Sequence, residues 1–300
     1  MELGTVLEDL QDRVRPLRAR LFPQLVLLEL HDSSLRGQVL RDGLDPQPVS
    51  IEAPLPPLTC RNGRPLEKEP LGDLIGDLLV RDGLIEALVM AALPPAAMEW
   101  RVLEWPGEDL LGDPIQALRG MHDPPLRLPF PLEEASVDVH PLPGSPPRML
   151  FAATPRALVE DWIQVFNLAG VRLERLAPAQ ACRLAALQGV LDKVSDDELV
   201  IVVDPGEADR WLLLIHRSVP VFERELPGDD DALVAEVARC VAFYRRHDPS
   251  SPDRLRLVLG GPFARRDALE HQLGTAAEEL AAEPFGSLVL QGLATQEVQP

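Results

Sequence analysis

Residues 25–40 read LVLLELHDSSLRGQVL, and the meaning of the central HDSS decides the fold. Two short apolar runs, LVLLEL and RGQVL, flank a turn composition, which predicts two antiparallel strands of a hairpin. The same wording fits a buried strand that runs into a phosphate-gripping turn. In that reading His31 and Asp32 stand where glycines would let a backbone approach an anion. Two later stretches repeat the arrangement: VVDPGE at 202–207 and LVLGGP at 257–262 each end an apolar run in a small or acidic turn. Turns at the carboxyl ends of strands are where open α/β folds gather ligands, so three of them suit a two-lobed nucleotide cleft.

Outward from these turns, strands and helices alternate. LGDLIGDLLVRDGLIEALVMAAL, residues 71–93, spaces its apolar residues at helical intervals up to Pro94 and Pro95, which predicts one helix. MEWRVLEW and ASVDVHPL alternate as strands, with a helix expected over DLLGDPIQALRG between them. RMLFAA predicts a strand, TPRALVEDWIQVFNLAG an amphipathic helix and VRLERLA a further strand. In that helix Thr154 is the expected N-cap, Pro155 the first-turn proline and Gly170 the C′ residue. PAQACRLAALQGVL predicts a helix and ELVIVVDPG a strand buried on both faces. WLLLIHRSVPVFERELP follows as two strands turning at Arg217 and Ser218. In DDDALVAEVARCVAFYRRH the acids lead and the bases trail, as a helix dipole favours, with Leu233, Val234, Val237, Val241 and Tyr244 on one stripe. LRLVLGG and FARRDALEHQLG add a strand and a helix. A helix begun at TVLEDLQDRVRPLRAR, residues 5–20, should kink or end at Pro16. The prolines cluster in connecting stretches, DPQPVSIEAPLPPLT and PLPGSPP among them, and no repeat of solenoid period is present.

With 48 acidic and 29 basic residues the net charge is −19, which repels nucleic acid and anionic lipid headgroups. The lysines are Lys68 and Lys193, so chemistry that needs a lysine on a phosphate has few candidates. Cys60, Cys182 and Cys240 lie far apart in no ligand spacing and read as buried thiols. The six histidines, His31, His122, His140, His216, His247 and His271, form no metal-spaced set, and Ser33 and Ser34 lack a GxSxG context. Trp100 and Trp105 fall five apart in one expected strand, hence on opposite faces, with core packing assigned to both. No apolar run reaches the roughly 18 residues of a spanning helix, and the N-terminus lacks a signal-peptide layout. The expected compartment is the cytoplasm.

The wording at the joins resembles the PilM family of type IV pilus assembly proteins, which share the actin-like fold of FtsA. The pieces that carry it are EWRVLEWPGEDLL, MLFAATPRALVEDWIQVFNLAGVRLERL, VIVVDPG with VPVFEREL, and EVARCVAFYRRH with LVLGGPFARRDAL. The implied fold class is α/β, actin-like or ribonuclease H-like and two-lobed. Residues 1–93 and 179–196 would form a 1A-like subdomain, 94–178 an inserted 1C-like subdomain, and 197–300 a 2A-like lobe with a reduced 2B region. The reduction rests on Gly228, which joins VPVFERELP almost directly to the DDDALVAEV helix where relatives carry a longer segment.

The resemblance implies ATP and Mg²⁺ between the lobes, with Ser33, Ser34 and Arg36 on the first phosphate turn. Asp204 and Gly206 fall on the second, and Gly260 and Gly261 beside the adenosine. Glu29, His31, Asp32 and Arg36 replace the family's Asp, Gly, small residue and Lys. A carboxylate about 4 Å from a phosphate charge costs roughly 4 kcal/mol at a surface-like dielectric, so the nucleotide cleft reads as degenerate. The implied role is a non-catalytic cytoplasmic adaptor of a pilus machine. It would take the N-terminal tail of a PilN-like inner-membrane protein in a groove between 1A and 1C, meet other machine components and the membrane only through partners, and assemble as a homo-oligomeric ring. The alternatives are a working actin-like ATPase or nucleotide switch, and a GspL-like type II secretion component. Chains of the latter kind continue into a membrane helix, whereas this one stops at Pro300.

Overall fold

A computed structural model describes residues 24–40, 49–84, 87–104, 118, 126–142, 147–206, 210–248, 250–280 and 285–297. The helices expected over 5–20 and 109–120, and Trp105, lie outside these residues, apart from Leu118. The described chain divides into two units. The first takes Met1–Ala97, Pro155–Cys182 and Leu293–Pro300; the second takes Met98–Thr154 and Arg183–Gly292.

In the first unit LVLLEL and SLRGQVL form strands β1 (Leu25–Leu30) and β2 (Ser34–Leu40), paired antiparallel with Leu28 opposite Gly37. Every residue of β1 is buried, as expected of a central strand covered on both faces. A Cβ on Gly37 would lie 2.6 Å from Leu28 Cδ2 and 2.8 Å from Leu27 O, so the close approach of β1 requires glycine there. VSIEAP is not a connector but strand β3 (Val49–Pro54), alternating buried and exposed, with Pro54 at the end of an edge strand where its missing N–H is tolerated. A small hairpin follows, β4 (Cys60–Arg61) and β5 (Arg64–Pro65).

The single helix expected over 71–93 is two elements. Helix α1 (Lys68–Arg81) ends in a Schellman motif, in which Gly83 N–H donates to Val80 O and Leu84 N–H to Leu79 O, with Gly83 at φ +72°. LVMAAL is then strand β6 (Leu88–Leu93), parallel to β1. The apolar run fits either period; the Asp82-Gly83 stop divides it.

The second unit opens with β7 (Glu99–Glu104), β8 (Ala135–Leu142) and β9 (Arg148–Pro155), a three-stranded sheet in the order β7-β9-β8. Strand β9 runs straight into helix α2 (Arg156–Leu168) of the first unit. Pro155, not Thr154, occupies the N-cap, and no side chain caps the helix, because Thr154 is a buried strand residue. Gly170 is the C′ residue at φ +70°, as expected, and Val171 N–H closes the Schellman motif on Phe166 O. Strand β10 (Arg172–Pro178) pairs parallel with β6, so residues 155–178 build the first sheet, β10-β6-β1-β2-β3, rather than a compact 94–178 insertion.

Helix α3 (Ala179–Leu191) leads to the second five-stranded sheet of β11 (Glu198–Asp204), β12 (Trp211–His216), β13 (Val219–Glu225), β14 (Arg254–Leu259) and β15 (Ala277–Glu279). The turn between β12 and β13 places Arg217 and Ser218 at φ +53° and +59°, both in the left-handed region as a tight hairpin demands. Four residues separate the end of β13 from helix α4 (Asp230–His247), with Asp229 accepting a hydrogen bond from Ala232 N–H as N-cap. Its stripe of Leu233, Val237, Val241 and Tyr244 packs on Leu199, Ile201, Leu212 and Leu214, with Leu269 of α5 (Arg266–Leu273). Val200, Val202, Trp211 and Leu213 face the opposite way and meet Leu187 of α3 and Leu288 of α6 (Leu288–Glu297).

The order β13-β12-β11-β14-β15 repeats that of the first sheet: a three-strand antiparallel meander, then two parallel strands on the far side of its first strand. One topology occurs twice in the chain without a visible repeat in its letters.

Candidate functional site

The three strand-end turns fall in different units. Ser33, Ser34 and Arg36 belong to the first; Asp204, Gly206, Gly260 and Gly261 belong to the second.

The first turn is closed by His31 N–H donating to Ser34 O and by Leu55 N–H donating to Ser33 O. Both carboxylate oxygens of Asp32 are occupied: Oδ2 accepts from Asn62 N–H and Oδ1 from Gly63 N–H, each at 2.7 Å. Asn62 and Gly63 sit at φ +50° and +68°, the left-handed pair that an Asn-Gly hairpin turn requires. A Cβ on Gly63 would lie 2.6 Å from Ala97 Cβ, so this position is glycine for space as well as for angle. Gly63 O in turn accepts from Trp162 Nε1 at 2.8 Å, and the Trp162 ring is fully buried in α2. Asp32 therefore fastens β1–β2 to the small hairpin, and the hairpin to α2. Burial first, then the charge of Asp32, pushes the nearby Cys60 thiol up to about 12, which keeps it protonated. Arg36 lies 3.3 Å from Glu52, its partner in the β2–β3 register. Lys68 reaches Asp161 at 2.5 Å and Gln164 at 2.6 Å. Buried His31 holds its Nε2 3.7 Å from Glu29.

In the second unit the structure brings Asp204, Gly206 and Gly260 together. Gly206 N–H donates to Asp204 Oδ1 at 3.3 Å, and Gly260 N–H donates to Val203 O at 2.8 Å. Asp204 Oδ2 lies 3.4 Å from the Nε of Arg183, which rises from α3, is 1% exposed and rests 4.8 Å from the Trp211 ring centroid. A Cβ on Gly260 would lie 2.7 Å from Leu288 Cδ1, so packing by α6 accounts for that glycine, whereas one on Gly261 would meet nothing within 4 Å.

Arg183, Trp162 and the Asn62-Gly63 turn escaped the sequence reading. Asn-Gly is a strong hairpin signal, and an Arg inside the apolar ACRLAAL invites a search for a buried acid. Cys60, Cys182 and Cys240 are buried thiols outside any disulfide, as expected. Among the described residues no three His, Cys, Asp or Glu side chains converge as a metal site, and no helix is long and apolar enough to cross a membrane.

No family model matches the sequence, and no curated protein does. Solved structures match the fold. A chain of the PilM–PilN type IV pilus biogenesis complex is similar at a TM-score of 0.70 and 20% identity, covering 92% of this chain and 99% of that one. The cytoplasmic domain of EpsL, an inner membrane component of the type II secretion system of Vibrio cholerae, is similar at 0.51 and 11% identity, over 92% and 95%. A Bacteroides thetaiotaomicron protein with an actin-like ATPase fold is similar at 0.52 and 11%, over 91% and 95%. The chain has the actin-like ATPase fold, as its sequence led us to expect.

Proposed function

We propose that this chain is a scaffold of a type IV pilus assembly machine that docks the N-terminal tail of a PilN-like inner-membrane protein from the cytoplasmic side. The observation that carries this reading is the correspondence, along nearly the whole length of both chains, with a component of the PilM–PilN complex. The likeness to the EpsL domain is lower, which ranks a type II secretion role second. Subdomain names follow the same analogy: 1A-like for the first sheet, 1C-like for the three-stranded sheet, and 2A-like, with little 2B, for the second five-stranded sheet.

The residues present do not fit Mg²⁺-ATP. A metal ion at Asp204 would meet the guanidinium of Arg183, a like charge against which a cation is repelled by roughly 4 kcal/mol at 4 Å and a surface-like dielectric. On the first turn Asp32 holds a negative charge fixed by two backbone N–H groups, and Arg36 is paired with Glu52. These are structural ties within each unit, and they support reading Ser33, Ser34, Arg36, Asp204, Gly206, Gly260 and Gly261 as the vestige of a nucleotide site in a non-catalytic protein.

Fluorescence anisotropy with a labelled peptide copied from the cytoplasmic tail of the PilN-like protein of the same organism tests the docking role. Saturable binding is expected. A flat titration, alongside a binding response to the tail of a GspL-type partner, replaces the pilus reading with the secretion one.

A further inference from the structure

The second unit contains a cavity of about 350 Å³ bounded by two strand edges. β13 is the outer strand of its five-stranded sheet and β7 the outer strand of its three-stranded sheet. Outer strands offer unpaired backbone groups that tend to join. Two features keep these apart: Pro220 has no N–H to donate, and a register shift opposite Leu214 and Ile215 bulges β13 at Val221. The space between them is walled by Trp100 and Val102 of β7, Pro220 and Phe222 of β13, and Leu213. Its volume lies within the range of about 300–1,000 Å³ usual for small-molecule sites.

Charge on the wall is asymmetric. Arg101 is held by Glu99, with Nη2 to Oε2 at 2.9 Å. Arg183, nearby on α3, is held by Asp204 and the Trp211 ring. Glu223, paired through its backbone with β12, completes the wall, and its carboxyl makes no hydrogen bond or salt bridge to a described side chain. The residue as a whole is exposed, but its carboxyl is crowded by protein, and burial pushes it up to about 7 against the opposing pull of Arg183. A carboxylate among apolar walls is stabilised by a proton or by a cation that takes the proton's place. The Phe222 ring packs toward Phe243 on the α4 face of the sheet, which leaves Trp100 as the aromatic on this wall, and an aromatic beside a carboxyl favours a cation over a neutral guest. A protein of net charge −19 also concentrates cations at its surface.

We propose that this cavity binds an organic cation, a primary ammonium or guanidinium carried on an apolar arm, with Glu223 as counter-ion and Trp100 as the aromatic wall. The inference is independent of the pilus reading, since it uses side chains of one unit only.

Calorimetric titration of the whole protein with agmatine, and separately with a capped arginine tripeptide, tests it. Saturable binding of either is expected, and the tighter of the two tells a free amine from the side chain of a partner polypeptide. E223Q should weaken binding by about tenfold or more, as should W100A. Circular dichroism melting of each variant checks that the fold is retained. The proposal is overturned by an absence of saturable heat at millimolar concentrations of both probes, by equal binding to folded E223Q, or by preferential binding of succinate, which would make Arg101 and Arg183 the dominant charges.

Discussion

At the scale of single residues, the atoms that look like a ligand turn serve the protein itself. Asp32 sits in the turn that the family resemblance aligns with a phosphate grip, and its two oxygens close a hairpin thirty residues further along the chain. Asp32→Ala should therefore lower stability by roughly 1–3 kcal/mol, read from the urea midpoint at unchanged slope, because two backbone donors lose a charged acceptor. A variant as stable as the parent would remove Asp32 from the framework and return it to a ligand role. Glu223 makes a prediction in pH. Its carboxyl titrates near 7 in the folded protein against an ordinary value of 4.5, so between these limits the folded state holds the extra proton. Its contribution is complete below about 4.5 and is lost as pH rises through 7. The charged groups near it are Arg183 and, on the cavity wall, Arg101. Thermal melts from pH 5 to 8 should show the parent losing stability relative to E223Q across that window, and parallel curves would contradict the assignment.

Elements are delimited here by helix ends more than by helix starts. Helix α1 and helix α2 end in the same Schellman motif, at Asp82-Gly83 and Ala169-Gly170, and each releases the chain into a parallel strand of the first sheet. Gly83→Ala and Gly170→Ala place a Cβ at φ +72° and +70°, and each should cost about 1–2 kcal/mol in chemical denaturation. The Gly170 variant is the cleaner test, because nothing lies within 4 Å of the added carbon and only the backbone angle is penalised. Helix α4 needs no such device: Asp229 caps it, acids lead it and Arg245 and Arg246 close it, so its limits were readable from its letters. The 71–93 stretch shows the converse. Its apolar spacing suits a helix throughout, and a reader of periodicity alone passes over the Asp-Gly that makes LVMAAL a strand.

For the whole molecule, the degenerate reading of the cleft predicts that millimolar Mg²⁺-ATP leaves the melting temperature unchanged. A ligand present at a hundred times its Kd would add about 2.7 kcal/mol, so even modest binding would be visible. A saturable upward shift would restore the nucleotide switch as the working model. The letters alone were enough for most strands and for α2 to α5, because alternation and helical stripes act between near neighbours in sequence, while the actin-like class followed from the resemblance of the wording at the joins to the PilM family. They did not reach the partners of Asp32, of Trp162 at a separation of 99 residues, or of Arg183 and Asp204 at 21. Nor did they reveal that β10 lies beside β6, or that one five-strand order occurs twice. Such contacts form where sheet edges and helix faces meet, and any acid or indole satisfies the local pattern equally well. Only the folded chain decides which buried donor each must satisfy.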